Sequence, residues 1–182
     1  MDARIVRTRR LLQEALFVLA AHRGLDDITI SDIAEQAGVN RSTFYQHYSD
    51  KETLLADAFD LVAEQAGAML DGVDPTAERA PDVVVTFLAH IEAHADLYVR
   101  VFTEPGYGAV LSRLREHIRA AIVTAVDRID DVAVEVPVDV LAAGVAGTVV
   151  GVIGAWLSRD ERASALEASQ WVWAVLQGPR RL

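Results

Sequence analysis

Residues 29–51 read TISDIAEQAGVNRSTFYQHYSDK, and the fold follows from how that stretch divides. Ile30, Ile33, Ala34 and Ala37 recur at steps of three, four and seven, which places them on one face of a helix. Gly38 interrupts that helix, because a residue without a Cβ takes the left-handed conformation of a sharp turn at little cost. Asn40 stands where a side-chain oxygen caps the next helix. That helix, about residues 41–47, is short. Phe44, and Tyr48 just beyond it, are its buried positions, while Arg41, Ser42, Thr43, Tyr45, Gln46 and His47 cover the rest of its surface. Two short helices around a tight turn, the second one polar, make a helix-turn-helix, whose second helix enters the DNA major groove.

The same residues carry a family resemblance. Ile33-Ala34, Ala37-Gly38-Val39, Thr43-Phe44-Tyr45, His47-Tyr48 and Lys51 resemble the DNA-binding signature of the tetracycline-repressor (TetR) family almost position by position. The match includes the aromatic cluster and the lysine after it, and lies near the N-terminus, where the family places it. The resemblance implies an all-α fold of about nine helices. It puts a three-helix DNA-binding domain at residues 1–50 and an effector-binding and dimerisation domain at residues 51–182. It also implies a ligand-responsive transcriptional regulator, a repressor, that binds a palindromic double-stranded DNA operator as a homodimer and is released by a small-molecule effector.

Carried over position by position, the resemblance assigns DNA contacts. Arg41 and Ser42 open the second helix and reach base edges; an arginine can bond guanine bidentately, worth roughly 1–3 kcal/mol of discrimination. Thr43, Tyr45, His47 and Lys51 hold phosphates or position the helix. Thr29 and Ser31 begin the preceding helix and touch the backbone. Packing competes with contact at Tyr45 and is the preferred reading at Tyr48.

Composition sets outer bounds. A chain of 182 residues holds one or two domains. A hydrophobic share of 52% and a mean hydropathy of +0.20 leave apolar surface for a core and a partner interface. The absence of cysteine excludes a disulfide framework and thiolate chemistry, and suits the reducing cytoplasm expected of such a regulator. The net charge of −10 is unevenly spread: residues 1–51 hold seven basic and seven acidic side chains, residues 52–182 ten and twenty. Arg4, Arg7, Arg9 and Arg10 either track phosphates or form a solvated helix end. Gln13 and Glu14 interrupt the apolar run after them, so the segment does not read as a signal peptide; Leu12, Ala15, Leu16 and Leu19 share a helical face instead.

Periodicity and punctuation predict the remaining layout. Helices are expected over residues 6–22, from Thr29, over 41–47, from a Ser49/Glu52 capping box to about 70, and over 82–95. A short sixth is capped by Asp96 and reaches Phe102. The last three run over 109–129, over 138–158, and from a Ser164/Glu167 capping box to Gly178-Pro179. Residues 71–81, 103–108 and 130–137 read as loops. No strand pair or internal repeat is visible.

Residues 140–157 carry no charge, a length that also suits a minimal transmembrane helix. Asp139 and Arg159 flank the run, and alanine and glycine keep its hydrophobicity modest. Gly144, Gly147, Gly151 and Gly154 recur at three, four and three, forming one stripe. Each glycine costs about 1 kcal/mol against alanine in a helix interior, unless close packing offsets it. The expectation is that the eighth and ninth helices pair with their symmetry mates in a four-helix interface, with Trp171 and Trp173 near it. Packing within the chain and membrane insertion are the alternatives.

Phe87, His90, Tyr98, Phe102, Tyr107 and Trp156 are bulky candidates for an effector pocket, though each also suits a core; the scarcity of convergent charge points to an apolar or aromatic ligand. His90 and His94, four residues apart, could share a metal with His117 or Glu116, or form a polar helix flank; no metal and no cofactor are expected. There is no nucleophile elbow, dinucleotide fingerprint, phosphate loop or cysteine nucleophile, and Gly106-Tyr107-Gly108 lacks the third glycine and the strand such a fingerprint needs. No catalytic residue is assigned. The competing function is a helical dimeric sensor or carrier without DNA binding; Arg41 and Lys51 favour the regulator.

Overall fold

In the computed structural model the described residues are 3–70, 73–74, 76–104, 106–128 and 136–178, and every element among them is helical. They form α1 Ala3–Ala20, a 3-10 turn Leu25–Asp27, α2 Ile30–Gln36, α3 Arg41–His47, α4 Lys51–Gly67, α5 Asp82–Ala93, α6 Ala95–Thr103, α7 Gly108–Val126, α8 Val138–Leu157 and α9 Ala165–Gln177. The chain divides into two units, residues 1–59 and 60–182.

In the first unit α1 packs on α2 and α2 on α3. Leu12, Leu16, Ile28, Ile33, Phe44, Leu54 and Leu55 are buried between them, and the rings of Phe17 and Phe59 stack at 6.4 Å. Helix α2 begins at a complete capping box: the Thr29 hydroxyl accepts from the Asp32 N–H, and the Asp32 carboxylate accepts from the Thr29 N–H at 2.9 Å. It ends at Gly38, whose φ of 68° is the left-handed turn the sequence called for.

Two caps differ from expectation. Asn40 precedes α3 in extended conformation, but its side chain makes no cap bond; its backbone carbonyl accepts from the Thr43 N–H at 2.8 Å. Helix α4 is capped by Asp50 rather than Ser49. The Asp50 carboxylate, one residue closer, takes the Thr53 N–H at 2.7 Å, and the Ser49 hydroxyl turns to Asp50.

In the second unit α8 is the centre of packing, touching α6, α7 and α9, while α5 lies on α9. Leu88, Ile91, Leu114, Ala142, Ala146, Ile153 and Val172 are buried there. The expected Ser164/Glu167 box caps α9. Asp96 does not cap α6: that helix starts at Ala95, one residue after α5's C-cap His94, so Asp96 falls inside its first turn. One buried acid, Asp60, is paired by Arg113 Nε at 2.5 Å and His117 Nδ1 at 2.8 Å. Most of the expected acidic loop at 130–137, part of the loop at 71–81, and Pro179 lie outside the described residues.

Candidate nucleic-acid interface

Helix α3 has one fully buried side chain, Phe44, and Tyr48 sits at its C-cap with 3% exposure. The Phe44 ring meets Tyr45 edge-on at 5.6 Å and Tyr48 at 5.9 Å. This anchoring leaves Arg41, Ser42, Tyr45 and Gln46 exposed, with Thr43 and His47 half-buried. Arg41 Nη2 donates to the Tyr45 hydroxyl at 3.2 Å, and the guanidinium lies 5.6 Å from that ring. The pair, one helical turn apart, restrains a long cationic side chain on the exposed face while most of its five N–H donors stay available.

The neighbouring residues assigned to DNA divide into exposed and engaged. Ser31 is exposed. Thr29 is exposed too, but its hydroxyl serves the α2 cap and donates to Asp32 at 2.8 Å. The Thr29 N–H, then its hydroxyl, with Arg23 3.4 Å away, hold the Asp32 carboxyl below its ordinary range. Lys51 is turned inward: its Nζ donates to the carbonyls of Leu25 at 2.5 Å and Ile28 at 3.4 Å, tying the start of α4 to the 3-10 turn. One of its three ammonium N–H groups is left for a phosphate.

The four N-terminal arginines also divide. Arg4 and Arg7 are exposed, and Arg10 pairs with Glu14 at 2.7 Å. Arg9 instead belongs to a partly buried network that the sequence reading missed. Its guanidinium donates to Asp57 and, through Nε, to the Tyr48 hydroxyl at 3.2 Å. The same Asp57 carboxylate accepts from the Tyr48 hydroxyl at 2.5 Å and from Gln13 Nε2 at 2.7 Å. Burial first, and then donation to Asp57, push the Tyr48 phenol well above its ordinary value; the bond to Tyr48 raises Arg9. A signal was present: Gln13 lies four residues after Arg9 on α1, and Asp57 is the one acid inside the apolar run 54–59.

In the second unit Phe87, Tyr98, Tyr107 and Trp156 are buried, and His90 and Phe102 are half-buried. The Trp156 indole donates to the Ala163 carbonyl at 2.9 Å, which gives it a role within the core. The His90 ring lies 4.7 Å from His94 and meets Tyr98 perpendicularly at 5.9 Å. Burial, and then the nearby His94, lower His90 to about 4. Among the described residues no group of three histidines or carboxylates is placed to hold a metal. One cleft of about 610 Å³ is lined by Glu78, Gln170, Trp173 and Gln177, and another of about 250 Å³ by Glu64, His117, Thr124 and Arg128. Neither takes a wall from the six effector candidates.

The glycine stripe of α8 is used in two ways. Gly144, Gly147 and Gly151 are exposed, and a Cβ added at any of them would meet nothing within 4 Å. Gly154 instead faces α6 of the same chain, where an added Cβ would stand 3.2 Å from the Phe102 ring. Val140 on α8 and Leu166, Trp171 and Val175 on α9 are also exposed. Trp173, expected beside Trp171 at an interface, is buried, and its indole donates to the Ala77 carbonyl at 2.7 Å; two residues further along α9 turn it to the opposite side. Helix α8 is long and apolar enough to cross a membrane, with a third of its most apolar window buried inside the chain.

Residues 12–58 match the model of bacterial regulatory proteins of the tetR family. The uncharacterized HTH-type transcriptional regulator YxbF of Bacillus subtilis is 52% identical over 56 residues, covering 30% of this chain and 15% of that protein. The HTH-type transcriptional repressor LfrR of Mycolicibacterium smegmatis is 38% identical over 72 residues, covering 39% of this chain and 36% of that protein. This chain therefore spans little more than a third, at most, of the length of these curated relatives, both named as transcriptional regulators. The fold is shared over nearly the whole chain with Thermus thermophilus FadR, a repressor solved in complex with lauroyl-CoA, at a TM-score of 0.59 and 18% identity over 96% of each chain.

Proposed function

We propose that the chain, whose residues 12–58 match the tetR-family model, is a ligand-responsive repressor that binds a palindromic operator as a homodimer in the cytoplasm. The observation that carries the reading is the anchored, polar face of α3: Phe44 buried, with Arg41, Ser42, Tyr45 and Gln46 exposed on so short a helix. Arg41 and Ser42 read bases. Thr43, Tyr45 and His47 hold phosphates, joined by Thr29, Ser31, Arg4 and Arg7, and by Lys51 through its remaining N–H. Residues 1–50 are the DNA-facing domain, and residues 51–182 take the effector and make the dimer.

The exposed apolar residues of α8 and α9 support the dimer. Three open glycines would let a second helix approach closely, offsetting what they cost α8. Packing of α8 against α6, α7 and α9 favours this over a membrane span. Two such units would present α3 to successive major grooves roughly 34–36 Å apart. An apolar effector bound among Phe87, His90, Tyr98, Phe102 and Tyr107 would favour a spacing that no longer fits DNA, by binding the two states unequally.

The test is fluorescence anisotropy of the purified chain on DNA flanking its own gene, at two salt concentrations, with Arg41→Ala alongside. The reading expects binding that weakens steeply with salt and a variant that loses sequence preference. Binding to every fragment alike, unchanged in the variant, would refute it.

A further inference from the structure

We propose that Asp57 is a positioning residue for DNA reading: it sets the tilt of α3 by holding the Tyr48 hydroxyl. The inference rests on the DNA-binding reading above. Helix α3 has seven residues and one fully buried side chain. A single apolar anchor fixes how deep a helix sits but leaves it free to pivot about that point. The second anchor is Tyr48, whose N–H closes the last turn on the Phe44 carbonyl at 2.9 Å. Its hydroxyl is held by a directional, charge-assisted bond to Asp57 at 2.5 Å.

Asp57 is itself fixed. Its side chain is 15% exposed and stands on α4, and Arg9 and Gln13 of α1 donate to its two oxygens. The Arg9 guanidinium closes the loop from the other side, bonding the Tyr48 hydroxyl and lying 5.6 Å from its ring. Three elements therefore meet at one carboxylate, and α3 is the one among them that carries the base-reading residues of the proposed function, Arg41 and Ser42. Asp57 touches no base or phosphate in this scheme. It acts through Tyr48 on where Arg41 and Ser42 point, and a small misplacement of a reading helix costs base contacts while leaving phosphate attraction in place.

Two variants separate positioning from mere support. Tyr48→Phe removes the hydroxyl and keeps the ring on Phe44. Asp57→Asn offers one acceptor oxygen where two are in use, so a donor loses its partner. The 182-residue chain and both variants select from a pool of duplexes with a randomised core, at a temperature where circular dichroism shows all three folded. The expected result is that preference for the enriched duplex over an unselected one falls about tenfold in both variants, the size of one lost base contact, with affinity for the unselected duplex unchanged. Lower thermal stability with an unchanged preference ratio overturns the inference, because inactive protein cancels in that ratio. Amide NMR of the three proteins without DNA supplies an independent reading: signals of residues 41–47 should shift in both variants, with those of α9 still. If the wild-type chain enriches no sequence, the DNA-binding reading falls, and unshifted α3 amides would then overturn the positioning of α3 on its own terms.

Discussion

Helices α3 and α8 expose opposite kinds of surface, and each surface points to a different kind of partner. Helix α3 is seven residues long and keeps polar groups outside, with its place set by Phe44, Tyr48 and the bonds around Asp57. Helix α8 is twenty residues long and carries no charge after Asp139; it buries one side in its own unit and leaves glycine, alanine and valine on the other. Water solvates the first face well, so its exposure needs no partner to explain it, only a use. The second is poorly solvated, and three glycines there weaken the helix unless something packs on them. On the proposed function, the first unit would carry specificity in a few directional contacts, and the second would carry association in area.

The strongest way to break this contrast is at its apolar anchor. Phe44→Ala should cost about 3–5 kcal/mol, seen as a lower denaturation midpoint, and should abolish DNA binding. A variant that still binds would mean α3 is not held by its one buried ring. Next is the dimer. Because nothing stands within 4 Å of a Cβ at Gly147, Gly147→Leu should leave the monomer folded and weaken dimerisation by about 1–3 kcal/mol, read by light scattering across a concentration series. A variant as dimeric as wild type would remove α8 from the interface.

Protonation probes the second unit. The unfolded chain takes up a proton at His90 near the ordinary 6.5, whereas the folded chain holds out to about 4. The stability from the neutral ring is therefore complete above pH 6.5 and lost as pH falls through that window. Thermal melts should drop by roughly 2–4 °C more between pH 7 and 5 in wild type than in His90→Gln. Parallel curves for the two would show that His90 is solvated.

The smallest effects compare two caps. Thr29→Ala, which breaks a complete capping box, should cost about 1 kcal/mol. Asn40→Ala, which removes a side chain with no cap bond, should stay within about 0.5 kcal/mol in chemical denaturation. Equal losses at the two positions would contradict the capping seen here.

These caps also show what the sequence could and could not tell. Ile33, Gly38 and Phe44 announced the helix-turn-helix, because periodicity and a left-handed glycine are local signals. The Ser164/Glu167 box was legible for the same reason. Ser49 and Asp96 failed because several residues near a helix start can cap it, and a shift of one or two residues decides which does; Asn40 stands at the cap position, but its side chain makes no bond there. The inward turn of Lys51 and Arg9 was hidden for another reason: their partners lie 26 and 48 residues away in the chain, and a basic side chain near a DNA-reading helix suggests phosphate as readily as carbonyl or carboxylate. On α8 a glycine stripe says that something comes close but not what. Only the fold shows that Gly154 meets Phe102 of its own chain while Gly147 stays open.

Hydroxyl-radical footprinting of the protein's side chains, with and without the duplex it selects, tests the central contrast most directly. Tyr45 on α3 and Met69, beyond the end of α4, are both nearly half exposed in the free chain. The account predicts that DNA shields Tyr45 and His47 while Met69 and Val175 oxidise as before. Undiminished oxidation of Tyr45 in the presence of bound DNA, or shielding at Val175 instead, would contradict it.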